Sequence, residues 1–429
     1  MLLDSAADGP LSRASVLLAE PRAALWLDGE GKLGAQGTLI EGSTFLGALE
    51  NWWLAERDAD TQPGDLPFVG GWAIFLSYEM AQEVEPRLQL PRGPLPYRAF
   101  ALRIPCALIH DRAHQRVLAV AEADAVDCLD RLEADARRAA LEADPPQEAF
   151  RVQAIIEEDP EAHLERVRRG KEYIRAGDIY QTNLSRAWHV ELERDPDIAS
   201  LYNRLCATNP APFAALAQWG GAAIISSSPE RLVRLEGRRI DTRPIAGTRP
   251  RSRRPGDDIA EMTALAAHPK ERAEHIMLID LERNDLGRVC EPGSVRVDEL
   301  MTIESYAHVH HIVSNVTGVL RPDVTPVHAL RAVFPGGTIT GVPKFRCMQI
   351  IAELEGVGRG AYTGSLGYLN RNGTMDLNIL IRTMTLIGRQ IELRAGGGIV
   401  ADSEPGRELG ETRAKARGLL AAFEVTRDS

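Results

Sequence analysis

Lysine is nearly missing from this chain: five residues (Lys32, Lys171, Lys270, Lys344 and Lys415) stand against 45 arginines. Base composition accounts for the preference, and against it each retained lysine marks a candidate place for a compact ammonium rather than a planar guanidinium. Cysteine is scarce as well. Its five copies (106, 128, 206, 290 and 347) are scattered, odd in number and free of CxxC or His-paired spacing. That pattern argues against a disulfide frame and a zinc site, and the cysteines read as buried apolar fillers. No apolar run approaches the roughly 20 residues that a bilayer span needs, so no membrane role is expected. The start, MLLDSAADGPLSRA, has no basic segment leading into an apolar one, so no secretory signal is read and the chain is expected in the cytoplasm. Excess positive charge is lacking too: the net charge is −11. Without a basic stripe to release counterions from phosphates, nucleic-acid binding is not expected.

What is present is a chain of 429 residues with 44% apolar and 26% charged residues, enough for a sizeable core. Residues 1–145 alternate short apolar runs with Gly and Pro: 66–80 and 101–111 read as strands, and an interleaved acidic and basic helix ends at Pro145-Pro146. From 151 to 425 the pattern is denser. A helix is expected over 159–176, with Asp159 as N-cap and a stop at Gly177. Strands follow around 179–193, 221–227 and 230–241, then a helix over 257–283. Helices over 325–333, 343–355 and 404–425 and three strands within 361–400 complete the reading. The fold class expected is α+β, with two stacked, mainly antiparallel sheets and helices outside, and without a regular βαβ beat.

Four carboxylates stand out. Glu271 and Glu274 are three apart in HPKERAEHIMLIDLERND, and Glu408 and Glu411 repeat the spacing in SEPGRELGETRAKARG, so each pair shares one helix face. Facing one another, the pairs would repel unless a hard cation lay between them, and oxygen ligands with few protein donors suit Mg²⁺. Alternatively both are solvated helix faces. AGGGIVADS (395–403) follows a strand and precedes the helix of Glu408 and Glu411, where bare backbone N–H groups can meet an anion. FPGGTITGVPK (334–344) also opens a helix. Neither matches a nucleotide-binding glycine spacing. In AHVHHIVS, strand alternation puts His308 and His310 on one face and His311 on the other, so a lone inward histidine is a better acid, base or hydrogen-bond donor than half of a zinc site; alternatively these are core or surface histidines. TRPIAGTRPR (242–251) is a loop-like stretch that concentrates Arg243, Arg249 and Arg251 around Ala246, Gly247 and Thr248; the arginines serve either a substrate field or surface pairing.

In their order, GDIYQTNLSR, NPAPF, SSSPERLV, PIAGTRPR, EHIMLIDLERNDLGRV, ESYAHVHHIVS, FPGGTITGVPK, YTGSLGY, IRT, AGGGIVADS and ExxETxxKA resemble the chorismate-utilising enzymes, the group that includes component I of aminodeoxychorismate synthase and of anthranilate synthase. The resemblance covers residues 160–425 and extends weakly to the N-terminus through LLDS and PFVGGWAIFLSYE. It implies a two-sheet α+β unit whose cleft takes chorismate and Mg²⁺. Glu274 and Glu411 are implied as principal metal ligands, with Glu271 and Glu408 beside them, partly through water. Gly247, Thr248, Tyr362, Arg382, Gly396, Gly398 and Lys415 are implied to hold the two substrate carboxylates. Glu230 matches the general acid for the departing C4 hydroxyl, and His311 an imidazole beside it. LLDS and NPAPF also resemble parts of the family's tryptophan pocket.

The physics of the reaction agrees with those roles. Chorismate is a dianion with a poor leaving group, so a site must neutralise two carboxylates and protonate an oxygen. Glu230 must then hold a proton near neutral pH, which desolvation and neighbouring carboxylates would favour. Gln181 stands where water-activating relatives carry a lysine, which points to ammonia as nucleophile. Ala246 stands where many aminodeoxychorismate synthases carry a lysine that attacks C2, whereas anthranilate synthases carry Ala there. YQTNLS with Asn183, FPGGTITG and AGGGIVADS lean toward amination at C4, the route to 4-aminobenzoate and folate; amination at C2, giving anthranilate for tryptophan, is the alternative. No GxCxGxQ segment is present, so ammonia is expected from a separate glutamine amidotransferase subunit or from solution.

Overall fold

The computed structural model describes the chain except residues 8, 10, 12, 59, 61–63, 143–149, 253, 307–308 and 424–429, and except the side chains at 248, 250, 255, 269 and 270. His308 and the Pro145-Pro146 pair therefore lie outside the described residues.

Among the described residues the strands form two sheets of eleven each, and the pairings are antiparallel. One sheet runs Gly341–Val342, Gln181–Leu192, Gln390–Ile399, Thr383–Ile387, Ala222–Ser228, Phe213–Trp219, Leu2–Asp4, Ala14–Ala19, Cys106–Asp111 and Arg116–Ala121, with Val152–Glu157 paired beside Gln181–Leu192. The other runs Ile245–Pro250, Val309–Val319, Arg239–Thr242, Arg231–Glu236, Met375–Asn378, Ser365–Asn370, Gly71–Leu76, Tyr97–Ile104, Ala23–Asp28 and Leu33–Gln36, with Arg296–Ser305 beside Val309–Val319. Strands from both halves of the chain share each sheet: Leu2 pairs with Leu216, and Gly71 with Asn370.

Between the sheets lies a core of Val16, Ile109 and Ile224 from one and Phe75, Phe100 and Leu366 from the other. Phe75 lies 5.4 Å from Phe100 and 5.7 Å from Tyr97, centroid to centroid. Burying each such side chain contributes about 1.5–3 kcal/mol. Helices cover the outer faces. Ile198–Thr208 and Pro405–Leu420 pack through Leu201, Leu205, Ala416 and Leu419 on Trp188, Ile225 and Leu393 of the first sheet. Phe45–Glu56, Pro326–Val333 and Lys344–Glu355 share the remaining large core with the second. The expected architecture of two antiparallel sheets with helices outside is the one observed.

Local rules set many boundaries. Helix Pro160–Ala176 begins where the Asp159 carboxylate accepts from the Glu161 N–H at 3.0 Å and ends at Gly177, whose φ of 81° is left-handed. Four expectations need correction, the first being that the strand expected around 230–241 is two, Arg231–Glu236 and Arg239–Thr242. The strand expected over 101–111 is two strands, Tyr97–Ile104 and Cys106–Asp111, and Pro105 between them carries the chain from one sheet to the other. The helix expected over 257–283 is two, Pro255–Ala267 and Pro269–Gly287, because Pro269 holds His268 in extended geometry (ψ 113°). The three strands expected within 361–400 are four.

Candidate active site

Two of the places where the chain passes from one sheet to the other each hold a charged side chain. Strand Ala222–Ser228 belongs to the first sheet and Arg231–Glu236 to the second, so Glu230 sits in the crossover. Its backbone carbonyl accepts from Ile379 N at 3.0 Å. Its buried carboxylate meets the Ile245 N–H at 3.5 Å and faces the Thr338 hydroxyl. Burial pushes the Glu230 carboxyl up to about 7, against the downward pull of Thr338, the Ile245 N–H, Lys415 and Arg382. Desolvation is thus the cause expected from sequence, while the neighbouring charges that weigh most are cations rather than the expected carboxylates. Arg382 occupies the return crossover from Met375–Asn378 to Thr383–Ile387, with a left-handed φ of 52° that a non-glycine residue adopts only when its surroundings impose it.

The basic turn is a bulged strand rather than a loop. Ala246 pairs with Ile312 and Thr248 with His311, leaving Gly247 as the extra residue at φ 73°. A Cβ there would lie 2.5 Å from Glu271 Oε2, so glycine is what lets that acid approach the strand. The arginines of the stretch are in ion pairs: Arg243 with Glu304 (2.5 Å) and Glu299 (2.7 Å), Arg249 with Glu271 (3.1 Å), and Arg251 with Asp258 (3.0 Å). Each of these arginines is thus held by an acid, Arg243 in a largely buried pair with Glu304 and Arg249 on Glu271.

The adjacent histidines separate as alternation predicts. His310 bonds Ser305 Oγ at 2.7 Å and Asp258 at 3.0 Å. His311 is buried, bonds the Gly247 backbone and is pushed down to about 3 by burial and by Arg382, so its imidazole is neutral near pH 7.

The glycine strand forms the other wall. Gly396, Gly397 and Gly398 pair with Ser185, Leu184 and Asn183. A Cβ on Gly398 would sit 2.1 Å from Gln181 Nε2, and one on Gly396 would sit 2.8 Å from Tyr362 Oη and 3.0 Å from Asn183 Oδ1. Gly397 takes the helix acids: its Cβ position is 3.3 Å from Glu408 Oε2 and 3.6 Å from Glu411 Oε1. Lys415 donates to the Gly396 carbonyl at 2.8 Å.

The sequence-derived residues thus gather in three linked groups. Glu230, Arg382, Lys415 and His311 lie within one another's electrostatic reach. Ala246, Gly247 and Thr248 join His311 to Glu271. Gln181, Tyr362, Gly396, Gly398, Glu408 and Glu411 line the glycine strand. Glu274 is half-buried one turn after Glu271 on helix Pro269–Gly287. Among the described residues no three carboxylate, imidazole or thiol atoms at this place come within 4.8 Å of one another, so the acids stand as pairs rather than a closed cage. Two carboxylates side by side over a residue with no side chain still suit Mg²⁺, which needs one or two of them and keeps several waters.

Sequence reasoning passed over several groups. Glu282 is buried on helix Pro269–Gly287, and burial and Asp285 push its carboxyl upward. Asp285 pairs with Lys344. Arg359 donates to Glu355 (2.6 and 2.9 Å) and to the Asn183 carbonyl (2.8 Å), which fixes the strand beneath Gln181 and Asn183. Lys344 carried a signal as one of the five lysines; a buried Glu in a mixed-charge helix, or an Arg in the loop after one, carries none. LLDS and NPAPF do converge: Asp4, Ser5, Pro212 and Phe213 line one cavity of about 950 Å³, with Arg231 and Tyr368.

The cysteines are free, and Cys106, Cys128, Cys290 and Cys347 are buried, as fillers would be; the Cys106 and Cys128 sulfurs also lie with the Glu20 carboxylate inside 4.8 Å of one another. Distant spacing hid the contact, because three separate elements supply it.

Known proteins resemble this chain in sequence and fold. Residues 11–421 match the family described as chorismate binding enzyme. Aminodeoxychorismate synthase component 1 of Escherichia coli K12 is 39% identical, over 99% of this chain and 93% of that protein. Anthranilate synthase component 1 of Streptomyces coelicolor is 43% identical, over 85% of this chain and 75% of that one. Anthranilate synthase component I of Streptococcus pneumoniae superposes with a TM-score of 0.84 at 31% identity, over 95% and 92% of the two chains. A two-sheet fold with a buried acid at one crossover and an arginine at another, matched over nearly its whole length, belongs to the chorismate binding enzymes, and this chain is one of them.

Proposed function

We propose that this chain is the aminating component of an aminodeoxychorismate synthase, converting chorismate and ammonia to 4-amino-4-deoxychorismate and water on the route to 4-aminobenzoate and folate. The observation that carries the reading is the buried Glu230 carboxyl, poised near pH 7 with Arg382 and Lys415 in its field. A proton held there serves the C4 hydroxyl as it leaves, and the two cations offset a dianionic substrate. The choice of product is supported by the extent of the likeness to the E. coli aminodeoxychorismate synthase component, which spans both chains almost completely.

In this reading Arg382, Lys415, Tyr362 and the N–H groups around Gly247, Thr248, Gly396 and Gly398 orient the two carboxylates. Neutral His311 acts as a hydrogen-bond partner beside the ring rather than as a cation. Gln181 replaces the water-activating lysine, leaving ammonia as the nucleophile, and it reaches C4 without a covalent lysine adduct because Ala246 has no amine. Glu271, Glu274, Glu408 and Glu411 would hold Mg²⁺, which supplies Lewis-acid neutralisation of a substrate carboxylate. Ammonia comes from a glutamine amidotransferase partner. The cavity at Asp4 and Phe213 is assigned to tryptophan.

Ala246 favours one second reading, anthranilate synthase component I, in which ammonia adds at C2. The two are separated by incubating the chain with chorismate, Mg²⁺ and ammonium and then adding the downstream lyase. 4-Aminobenzoate supports the proposal, whereas fluorescent anthranilate before the lyase is added overturns it.

A further inference from the structure

At the edge of the first sheet farthest from the glycine strand, three elements meet. Strand Ala14–Ala19 ends beside the start of Cys106–Asp111, with Ala19 paired to Cys106. Helix Asp127–Leu141 brings Cys128 down onto the same spot in its first turn. This small cluster of Cys106, Ala125, Cys128 and Leu132 is separate from the three larger cores and docks the helix on the sheet. Glu20, the residue just past the strand end, closes the group.

We propose that Glu20, Cys106 and Cys128 form a binding site for one thiophilic divalent cation of the zinc type. The ligand set is two sulfurs and one carboxylate oxygen, all within 4.8 Å of one another, and among the described residues it is the only such convergence. Tetrahedral zinc, with bonds of about 2.0–2.3 Å, separates its ligand atoms by less than that and keeps a fourth position for water. Both cysteines are buried and the Glu20 side chain is about a third exposed, at 37%, so the set opens to solvent on the carboxylate side, where an ion can enter. Cys128 already donates to Glu20 Oε2 at 3.3 Å, which places sulfur and carboxylate in one another's reach.

Two further features fit a site rather than a chance packing of thiols. Glu20 adopts a left-handed φ of 51°, a conformation rare outside glycine that aims its carboxylate back at the cysteines. Arg131, one turn beyond Cys128, pairs with both Glu20 oxygens at 2.5 and 2.9 Å and reaches Cys128 Sγ at 3.4 Å. Two thiolates and a carboxylate around a divalent ion leave one negative charge, and the guanidinium matches it from outside the coordination sphere. Binding exchanges two S–H bonds for two metal–sulfur bonds and releases two protons, with no redox partner required.

The test uses the full chain in a non-chelating phosphine reductant, titrated with Co²⁺. One equivalent should produce a near-ultraviolet thiolate-to-cobalt charge-transfer band and the visible bands of a tetrahedral ion. Equimolar Zn²⁺ should displace it and a large excess of Mg²⁺ should not. Glu20→Gln, at a partly exposed position, should weaken binding at least tenfold; Cys128→Ser should abolish the charge-transfer band, and Cys206→Ser should leave it intact. Chorismate turnover in Glu20→Gln should be unchanged, since the two sites lie at opposite ends of the sheet. Absence of the band in the wild-type chain, or its persistence in Cys128→Ser, overturns the proposal.

Discussion

The Lys415 ammonium donates to the Gly396 carbonyl at 2.8 Å while pairing with Glu411 at 2.7 Å, so one side chain joins the glycine wall to the helix that carries the acids. A compact ammonium fits between a carbonyl and a carboxylate; a planar fork does not. Lys415→Met should lower kcat/KM for chorismate by about 10–100-fold, the worth of one charge-assisted hydrogen bond. Lys415→Arg should recover little of it. Steady-state kinetics at saturating Mg²⁺ check both.

Glu230 acts while protonated, and burial raises its carboxyl to about 7. Its acid form is present below that pH and lost above it, so kcat/KM should fall as pH rises through about 7. Glu230→Gln should cost about 10²–10⁴-fold in kcat and remove that limb from the pH profile.

Glu355 is buried with Arg359 and Arg394. Burial alone would raise its carboxyl, but the two guanidiniums and the Ser185 N–H hold it down at about 2. Its contribution to stability is therefore present above the ordinary carboxylate pKa of 4.5 and lost as pH falls from there through about 2. Glu355→Gln should destabilise the fold at pH 7 by about 3–5 kcal/mol, because it strands buried cations. Urea unfolding followed at pH 7 and pH 3 should show the variant's deficit shrinking in acid.

Gly247→Ala should fail twice over. A φ of 73° costs an alanine about 1–2 kcal/mol, and the new methyl would meet Glu271 Oε2 at 2.5 Å. The expected result is a lower melting temperature and a higher Mg²⁺ concentration for half-maximal rate, where Ala246→Gly costs only about 0.5–1 kcal/mol and leaves the Mg²⁺ requirement unchanged.

How much of this was legible follows the range of the forces. Asp159 and Gly177 announced their helix because caps act within one turn, and the paired glutamates showed through helical spacing. Pro105 and Pro269 were visible, but whether a proline ends a strand, moves it to another sheet or breaks a helix depends on what packs around it. The Glu230–Arg382 relationship was hidden: both residues owe their position to strands changing sheets, a property of topology rather than of neighbouring sequence. Cys106, Cys128 and Glu20 were hidden for the same reason, since a sheet edge and a helix start bring together residues that no spacing rule connects. The arginines of TRPIAGTRPR read as one basic patch and proved to be ion pairs, because their acids come from other strands and helices.

The most direct measurement is the fate of the nitrogen. Incubating the purified chain with chorismate, Mg²⁺ and ¹⁵N-ammonium, and following the product by NMR, should place the label on C4 with the enolpyruvyl group retained and no pyruvate released. Label on C2 of an aromatic ring, with pyruvate released in equal amount, would contradict the account.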